Sequence, residues 1–440
     1  MKSVRLYLRL ILTFISKFKL ILILGIIVGI VAFMAFSKIV PTFEITKQTI
    51  GVIGEYSVDD LPISITSLIS SGLTKTNERG EVSPAIAESY EAKDSGQTWT
   101  FHINKNMKWQ DGATITSKDI NYNFSDATVE KPDKFTVIFK LKTPLSNFPV
   151  IVSKPIFKVG LLGTGEWKVK NLSLAGSFVE TLELENSDKI KLFKFYPSEE
   201  RAKLAYQLGQ INYLQNLMNP APFDTWDQAR VTPIINKNQY VAVFFNTTNT
   251  ILADKEVRQA LSYAIDKKSL SENRALGPIS PNSWGYNPTI KPYDFDIKHA
   301  KTLFQESKIP EDDKKHPKIK LSTIPALLST AEKIVKNWKD IGIDATLQVT
   351  QFIPDDYQAF LGIYDIPIDP DQYFAWHHTQ LQTNISKYSN PRIDKLLEDG
   401  RLETNESKRK SIYLDFQKYL LEDAPAAFLY YPTYYNVERK

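Results

Sequence analysis

The stretch from Tyr240 to Leu270 constrains the fold more than any other part of the chain. Tyr240–Asn246 is an uninterrupted apolar run of strand length, the pattern of a strand buried on both faces. A short polar loop follows, and a helix then opens at Asp254. Val257, Ala260, Leu261, Ala264 and Ile265 recur along it at helical spacing, giving one apolar face. Asp254 and Glu256 fall in its first turn and Lys267 and Lys268 in its last, as the helix dipole favours. A buried strand feeding a packing helix is the building unit of an α/β protein.

The rest of the sequence repeats this alternation. Residues 69–91 read as a short helix, a turn marked by Gly80 and a second short segment. Gln97–Asn104 and Phe135–Leu141 alternate as strands, and Thr116–Phe124 reads as a helix. Ser198–Leu208 is a helix with Ser198 as N-cap and Gly209 as its stop. Asp296–Ser307, Thr330–Ile341 and Ala345–Val349 read as helix, helix, strand. Asn390 caps a helix with Pro391 at its first position, and Glu406–Leu421 is a further helix closed by Pro425. At 440 residues such a chain divides into two or three domains.

The N-terminal end differs in kind. Lys2, Arg5, Arg9, Lys17 and Lys19 precede the uncharged run Leu20–Phe36, which has the length of a short membrane span. Residues 1–19 are therefore expected to be cytoplasmic, 20–36 to anchor the chain as a single transmembrane helix, and the remainder to lie outside the cell membrane. Ala35-Phe36-Ser37 is a poor signal-peptide cleavage site. Setting aside the five basic residues of this end leaves 49 Lys+Arg against 50 Asp+Glu, so no basic surface suggests nucleic acid as a partner. The absence of cysteine excludes disulfides, thiolate metal sites and a lipid-modified cysteine anchor.

Several phrases of the sequence, in order, resemble the family 5 bacterial extracellular solute-binding proteins, the dipeptide, oligopeptide and nickel receptors of ABC importers. They include Gly72-Leu73, Gly80, Pro84, Ala87-Glu88-Ser89, Thr98–Phe101, Lys108-Trp109, Asp111-Gly112, Asp119, Tyr122 and Phe124. Pro132-Asp133, Thr136-Val137, Phe139 and the glycine pair of Gly163–Trp167 continue the series, and the 244–270 stretch carries the most specific match. The resemblance implies an α/β, type II periplasmic-binding-protein-like fold of two lobes with a hinge. Stalk and first strand would occupy 37–60, lobe I 61–243, lobe II 244–424 and a return toward lobe I 425–440. The short run between Phe124 and Pro132 implies a reduced third subdomain. It also implies a short peptide as ligand and an ABC permease as partner, with no cofactor. A nickel chelate or a sugar as ligand, and a sensing or chaperone role, are the alternatives within that fold.

The densest group of polar and aromatic residues is the two-proline loop 364–380. Its Asp369-Pro370-Asp371 resembles a family segment in which an upstream aspartate meets the α-amino group of a bound peptide. Asp365 is the nearest counterpart, one residue too far from that triplet. Asp365, Asp369, Asp371, Tyr373, Trp376 and His377, with Thr383 and Asn384 beyond them, are the candidate ligand-binding residues. His377 and His378 with Asp369 or Asp371 also offer nitrogen and oxygen to a metal. Adjacent histidines on a helix or strand point apart, so no metal site is expected. There is no G-x-S-x-G, H-E-x-x-H or phosphate-loop motif, and an enzyme is not expected.

Overall fold

The computed structural model describes residues 17–21, 24–31, 33–34 and 46–440. The anchor expected at 20–36 lies partly outside these residues. No helix among the described residues is long and apolar enough to cross a membrane.

The chain folds into two lobes, each built on its own sheet. The sheet of lobe II has five strands in the order Asp344–Val349, Lys318–Thr323, Ala359–Asp365, Gln239–Phe245, Ala426–Tyr430. Gln239–Phe245 explains its own apolar sequence. Val241, Val243 and Phe245 face one layer, with Leu261, Trp338 and Leu361, while Tyr240, Ala242 and Phe244 face the other, with Trp376, Tyr413 and Phe416. A strand covered on both sides has no polar face to alternate with.

Lobe I is more elaborate. Its seven-stranded mixed sheet runs Ala229–Ile235, Thr433–Arg439, Tyr213–Leu217, Thr46–Ile53, Lys189–Tyr196, Phe178–Asn186, Lys168–Ala175. A four-stranded antiparallel sheet, Ala87–Lys93, Thr98–Ile103, Thr136–Leu141 and Ala127–Asp133, encloses a separate aromatic core around Trp99, Phe101, Phe139 and Phe148. Pro132 lies on the edge strand of that sheet, where a missing N–H breaks no ladder.

Two crossovers join the lobes, at 236–238 and 431–432. Gln239–Phe245 and Ala426–Tyr430 both lie in the five-stranded sheet. Two readings of single elements change. The helix expected over Thr116–Phe124 is a single 3-10 turn, Ser117–Asp119. Thr116 and Asp119 close a capping box around it, and Tyr122 is then drawn away to donate its hydroxyl to the Val152 carbonyl at 2.6 Å. Residues 69–91 hold the end of helix Ile63–Ile69, a hairpin (Thr74–Thr76 with Val82–Pro84) and the start of a strand. The glycine-rich turn at 163–165 is a packing strap, because a Cβ on Gly163 would sit 2.1 Å from the Ile69 carbonyl oxygen.

The helix that follows Gln239–Phe245 spans Lys255–Ala264, with Asp254 as N-cap accepting from the Val257 N–H. Arg258 is buried and donates to the carbonyls of Leu252, Ala253 and Asp423 at 2.6–2.8 Å, tying this helix to the end of helix Glu406–Asp423. It braces lobe II internally. Lys267 does not close the last turn. It opens a second short helix, Lys267–Leu270, and its Nζ is buried, donating to the carbonyls of Ser262 and Tyr293 at 2.5 and 2.6 Å.

Burial pushes the Lys267 ammonium down to about 7, against about 10.4 in an unfolded chain. Between these values the unfolded state binds more protons, so stability rises with pH, by at most about 1.4 kcal/mol per pH unit. Lys267→Met is expected to abolish this rise, read from urea midpoints of both proteins at pH 7.5 and 9.5. An unchanged slope would place the Lys267 ammonium at its ordinary value.

Candidate binding site between the lobes

Asp365 ends the strand Ala359–Asp365 directly beside the crossovers. Gln239 Nε2 donates to its Oδ1 at 2.6 Å, and the Gln239 amide oxygen accepts from the Tyr434 hydroxyl at 2.6 Å and from Asn236 Nδ2 at 3.1 Å. One carboxylate oxygen is thus fixed by a relay joining both crossovers. The side chain is exposed. Its charge is felt nearby: burial, reinforced by Asp365, pushes the Tyr364 phenol up to about 12. A polar cavity of about 370 Å³ adjoins the same crossovers, lined by Glu78, Asn216, Asn236, Asn238, Asn282 and Tyr434 among others.

The other two loop carboxylates are differently placed. Asp369 is buried and takes both Nη atoms of Arg409, at 2.6 and 2.8 Å, in a bidentate pair. Asp371 is also buried and accepts from Arg401 Nε at 2.8 Å and from Asn147 Nδ2 of lobe I at 3.1 Å. Both hold the loop in place, and neither presents a free oxygen as Asp365 does. Unpaired, a buried carboxylate would cost several kcal/mol.

Among the remaining candidates, Trp376 is core, packed on Phe244 and Phe428. Asn384 is buried and braces its own turn, bonding both the N–H and the carbonyl of Tyr388. Thr383 is exposed and donates to the Phe374 carbonyl. Tyr373 is half-buried between the His377 ring and the Arg401 guanidinium. His377 is buried, and with His378 it meets Asp394 of helix Pro391–Leu402 rather than Asp369 or Asp371.

Backbone hydrogen bonds also join the lobes beyond the crossovers. The Trp284 N–H donates to the Arg79 carbonyl, and the Ser146 N–H donates to the Arg401 carbonyl at 2.7 Å. Buried polar atoms without a partner, among the described residues, include Asn147 Oδ1, both amide atoms of Gln372, Trp376 Nε1 and the Tyr240 hydroxyl. Asn147 bonds Asp371, Gln372 follows it and caps the short helix of Trp376, and Phe428 touches both Trp376 and Tyr240. Each such atom costs about 1–3 kcal/mol if left unpaired.

Residues 81–384 match the model for the middle region of the bacterial extracellular solute-binding proteins, family 5. The chain belongs to that family. It is 26% identical to the oligopeptide-binding protein AppA of Bacillus subtilis over 468 residues, covering 87% of this chain and 86% of that protein. It is 23% identical to the periplasmic murein peptide-binding protein MppA of Escherichia coli, covering 84% and 83%. Among solved structures, NikZ of Campylobacter jejuni in complex with Ni(L-His) superposes with a TM-score of 0.72 at 23% identity, over 90% of this chain and 94% of that one. The alignment with the Bacillus protein is longer than this chain itself, so that relative carries segments absent here.

For a family 5 chain, the segment 364–380 was readable as a loop, but its partners were not. Arg401 and Arg409 lie 30 and 40 residues from the carboxylates they hold, with no local pattern linking them. Gln239, Tyr434 and Asn147 were likewise beyond local reasoning. Gln372 was the accessible omission, a polar residue inside the loop already singled out.

Gly80, by contrast, carries a geometric demand. Its φ is +78°, and a Cβ there would stand 2.3 Å from the Ile368 carbonyl oxygen of lobe II. Gly80→Ala is expected to cost about 1–3 kcal/mol of lobe contact, seen as a larger radius of gyration by small-angle scattering with unchanged far-UV circular dichroism. An unaltered scattering curve would mean that this turn does not control lobe contact.

Proposed function

We propose that this protein is the extracytoplasmic receptor of an ABC importer and takes a short peptide between its lobes by hinge closure. The observation that carries the reading is the exposed Asp365, held beside the crossovers by Gln239 with Tyr434 and Asn236. A peptide main chain brings donors and acceptors of its own to a site between the lobes. Its α-ammonium would meet Asp365, whose second oxygen is free of the Gln239 relay. The strand Ala229–Ile235, paired on one side only and ending at the first crossover, offers an edge for main-chain pairing. The relatives named above are binding proteins, two of them for peptides by name, which supports the same class of ligand here.

In this reading lobe I comprises 46–235 with 433–440, lobe II comprises 239–430, and the crossovers are the hinge. A bound peptide is expected to raise the melting temperature, by the equivalent of about 2.7 kcal/mol at a hundredfold excess over its Kd. A panel of di- to nonapeptides, sugars and a nickel–histidine chelate tests this, and stabilisation by a non-peptide alone would overturn the ligand class. Asp365→Ala is expected to weaken free-amine peptides about tenfold while leaving N-acetylated ones unchanged. Equal losses would remove Asp365 from the amine site.

We further propose that residues 20–36 anchor the receptor, the ABC permease being its membrane partner. Leu20, Ile21, Leu24, Ile26, Ile27, Val28, Ile30, Val31 and Phe33 are exposed. The full chain should remain in the membrane pellet after alkaline carbonate extraction, whereas residues 37–440 should be released. Release of both would overturn the anchor.

A further inference from the structure

Neighbouring histidines diverge on a helix or strand, and His377 and His378 escape that rule because they lie on neither. Helix Tyr373–Trp376 ends just before them, and His377 adopts extended backbone, φ −72° and ψ 136°. The two rings come together with centroids 4.9 Å apart, tilted by 31°. Both face helix Pro391–Leu402. His378 Nδ1 lies 2.9 Å from Asp394 Oδ2, and His377 Nε2 lies 3.9 Å from Asp394 Oδ1 and 3.4 Å from Glu398 Oε1. Asp394 and Glu398 stand one turn apart on a single helix face. One ligand atom from each of His377, His378 and Asp394 falls within 4.8 Å of the others.

We propose that His377, His378 and Asp394, with Glu398 completing the set, form a site for a borderline divalent transition metal, zinc or nickel, on lobe II. Imidazole nitrogen and carboxylate oxygen are the donors such ions select. Bonds of about 2.0–2.2 Å place the corners of a tetrahedron about 3.3 Å apart, and the separations above straddle that value. The buried half of the set is already oriented. The His377 ring stacks on Tyr373 at 4.1 Å and 17°, and its Nδ1 meets the Thr379 hydroxyl at 2.8 Å and the Thr379 N–H at 3.3 Å; metal binding at Nε2, which faces the carboxylates, requires Nδ1 to carry the proton and donate to that hydroxyl. Asp394 is held by the His378 N–H at 3.0 Å. The half-exposed His378 and Glu398 give an ion its way in. Two cations lie close by and both are engaged elsewhere: Arg401, over the Tyr373 ring, by Asp371, and Lys395 by Asp399. An ion here would staple the loop that carries Asp369 and Asp371 onto helix Pro391–Leu402.

All four ligands belong to lobe II, so the site is independent of lobe closure and of Asp365. The test uses the full chain without peptide, titrated calorimetrically with zinc chloride and, separately, nickel chloride. Glu398→Gln alters an exposed side chain, whereas His378→Ala also removes the imidazole 2.9 Å from the buried Asp394, so the metal-free melting temperature of each variant is recorded first. One equivalent of metal should bind, His378→Ala should weaken it about tenfold or more, and X-ray absorption should report two imidazole nitrogens. Absence of saturable binding, equal affinity in His378→Ala, or a spectrum without imidazole would overturn the site. Because no peptide is present, none of these results bears on the peptide-receptor reading.

Discussion

The molecule depends on one set of backbone hydrogen bonds. Gln239–Phe245 leaves the first crossover and Ala426–Tyr430 leads into the second, and the two pair antiparallel side by side. Antiparallel neighbours bring the start of one strand beside the end of the other. Both connections between the lobes therefore emerge at the same end of one sheet. The Asn236 N–H donates to the Pro432 carbonyl and stitches them together. Two chains crossing at one line permit rotation about that line while opposing twist or separation.

The loop at 364–380 is positioned from the same line outward. It begins at Asp365, where the strand partner of Gln239–Phe245 ends, and is then fastened at Asp369 by Arg409 and at Asp371 by Arg401. A two-proline loop has little regular hydrogen bonding of its own. Its conformation is set by charged pairs buried deeply enough for removal of either partner to be severe. Of three aspartates close in sequence, two are consumed in holding the loop and one is left presentable.

Much of this was legible in the sequence where a signal was local. Ser198 and Asn390 were readable as N-caps because their side chains serve the N–H groups that follow them, and each does so. The buried strand at 240–246 was readable from its unbroken apolar run. What was not legible depended on distant partners. The Thr116–Phe124 pattern suggested a helix, yet Tyr122 bonds backbone some 30 residues on. The antiparallel strands at 168–196 alternate only loosely, since their faces are half-buried. Lys267 looked like a dipole-facing terminal lysine, and tertiary packing buries it. The two histidines were dismissed on a rule for regular elements, and the chain there is not regular.

The last strand bears on how the protein comes to be folded. Thr433–Arg439 is inserted between Tyr213–Leu217 and Ala229–Ile235, with Val437 wholly buried against Leu214, Leu217 and Phe223. Lobe I begins before lobe II, yet its sheet stays divided until residues 433–439 have been made. Lobe II spans one continuous stretch and needs no such wait. The order of completion therefore reverses the order of synthesis, and the unfinished sheet exposes two open strand edges in the interval. A chain built this way gains from staying unfolded until it is whole, which is also the state in which a polypeptide can be threaded across a membrane.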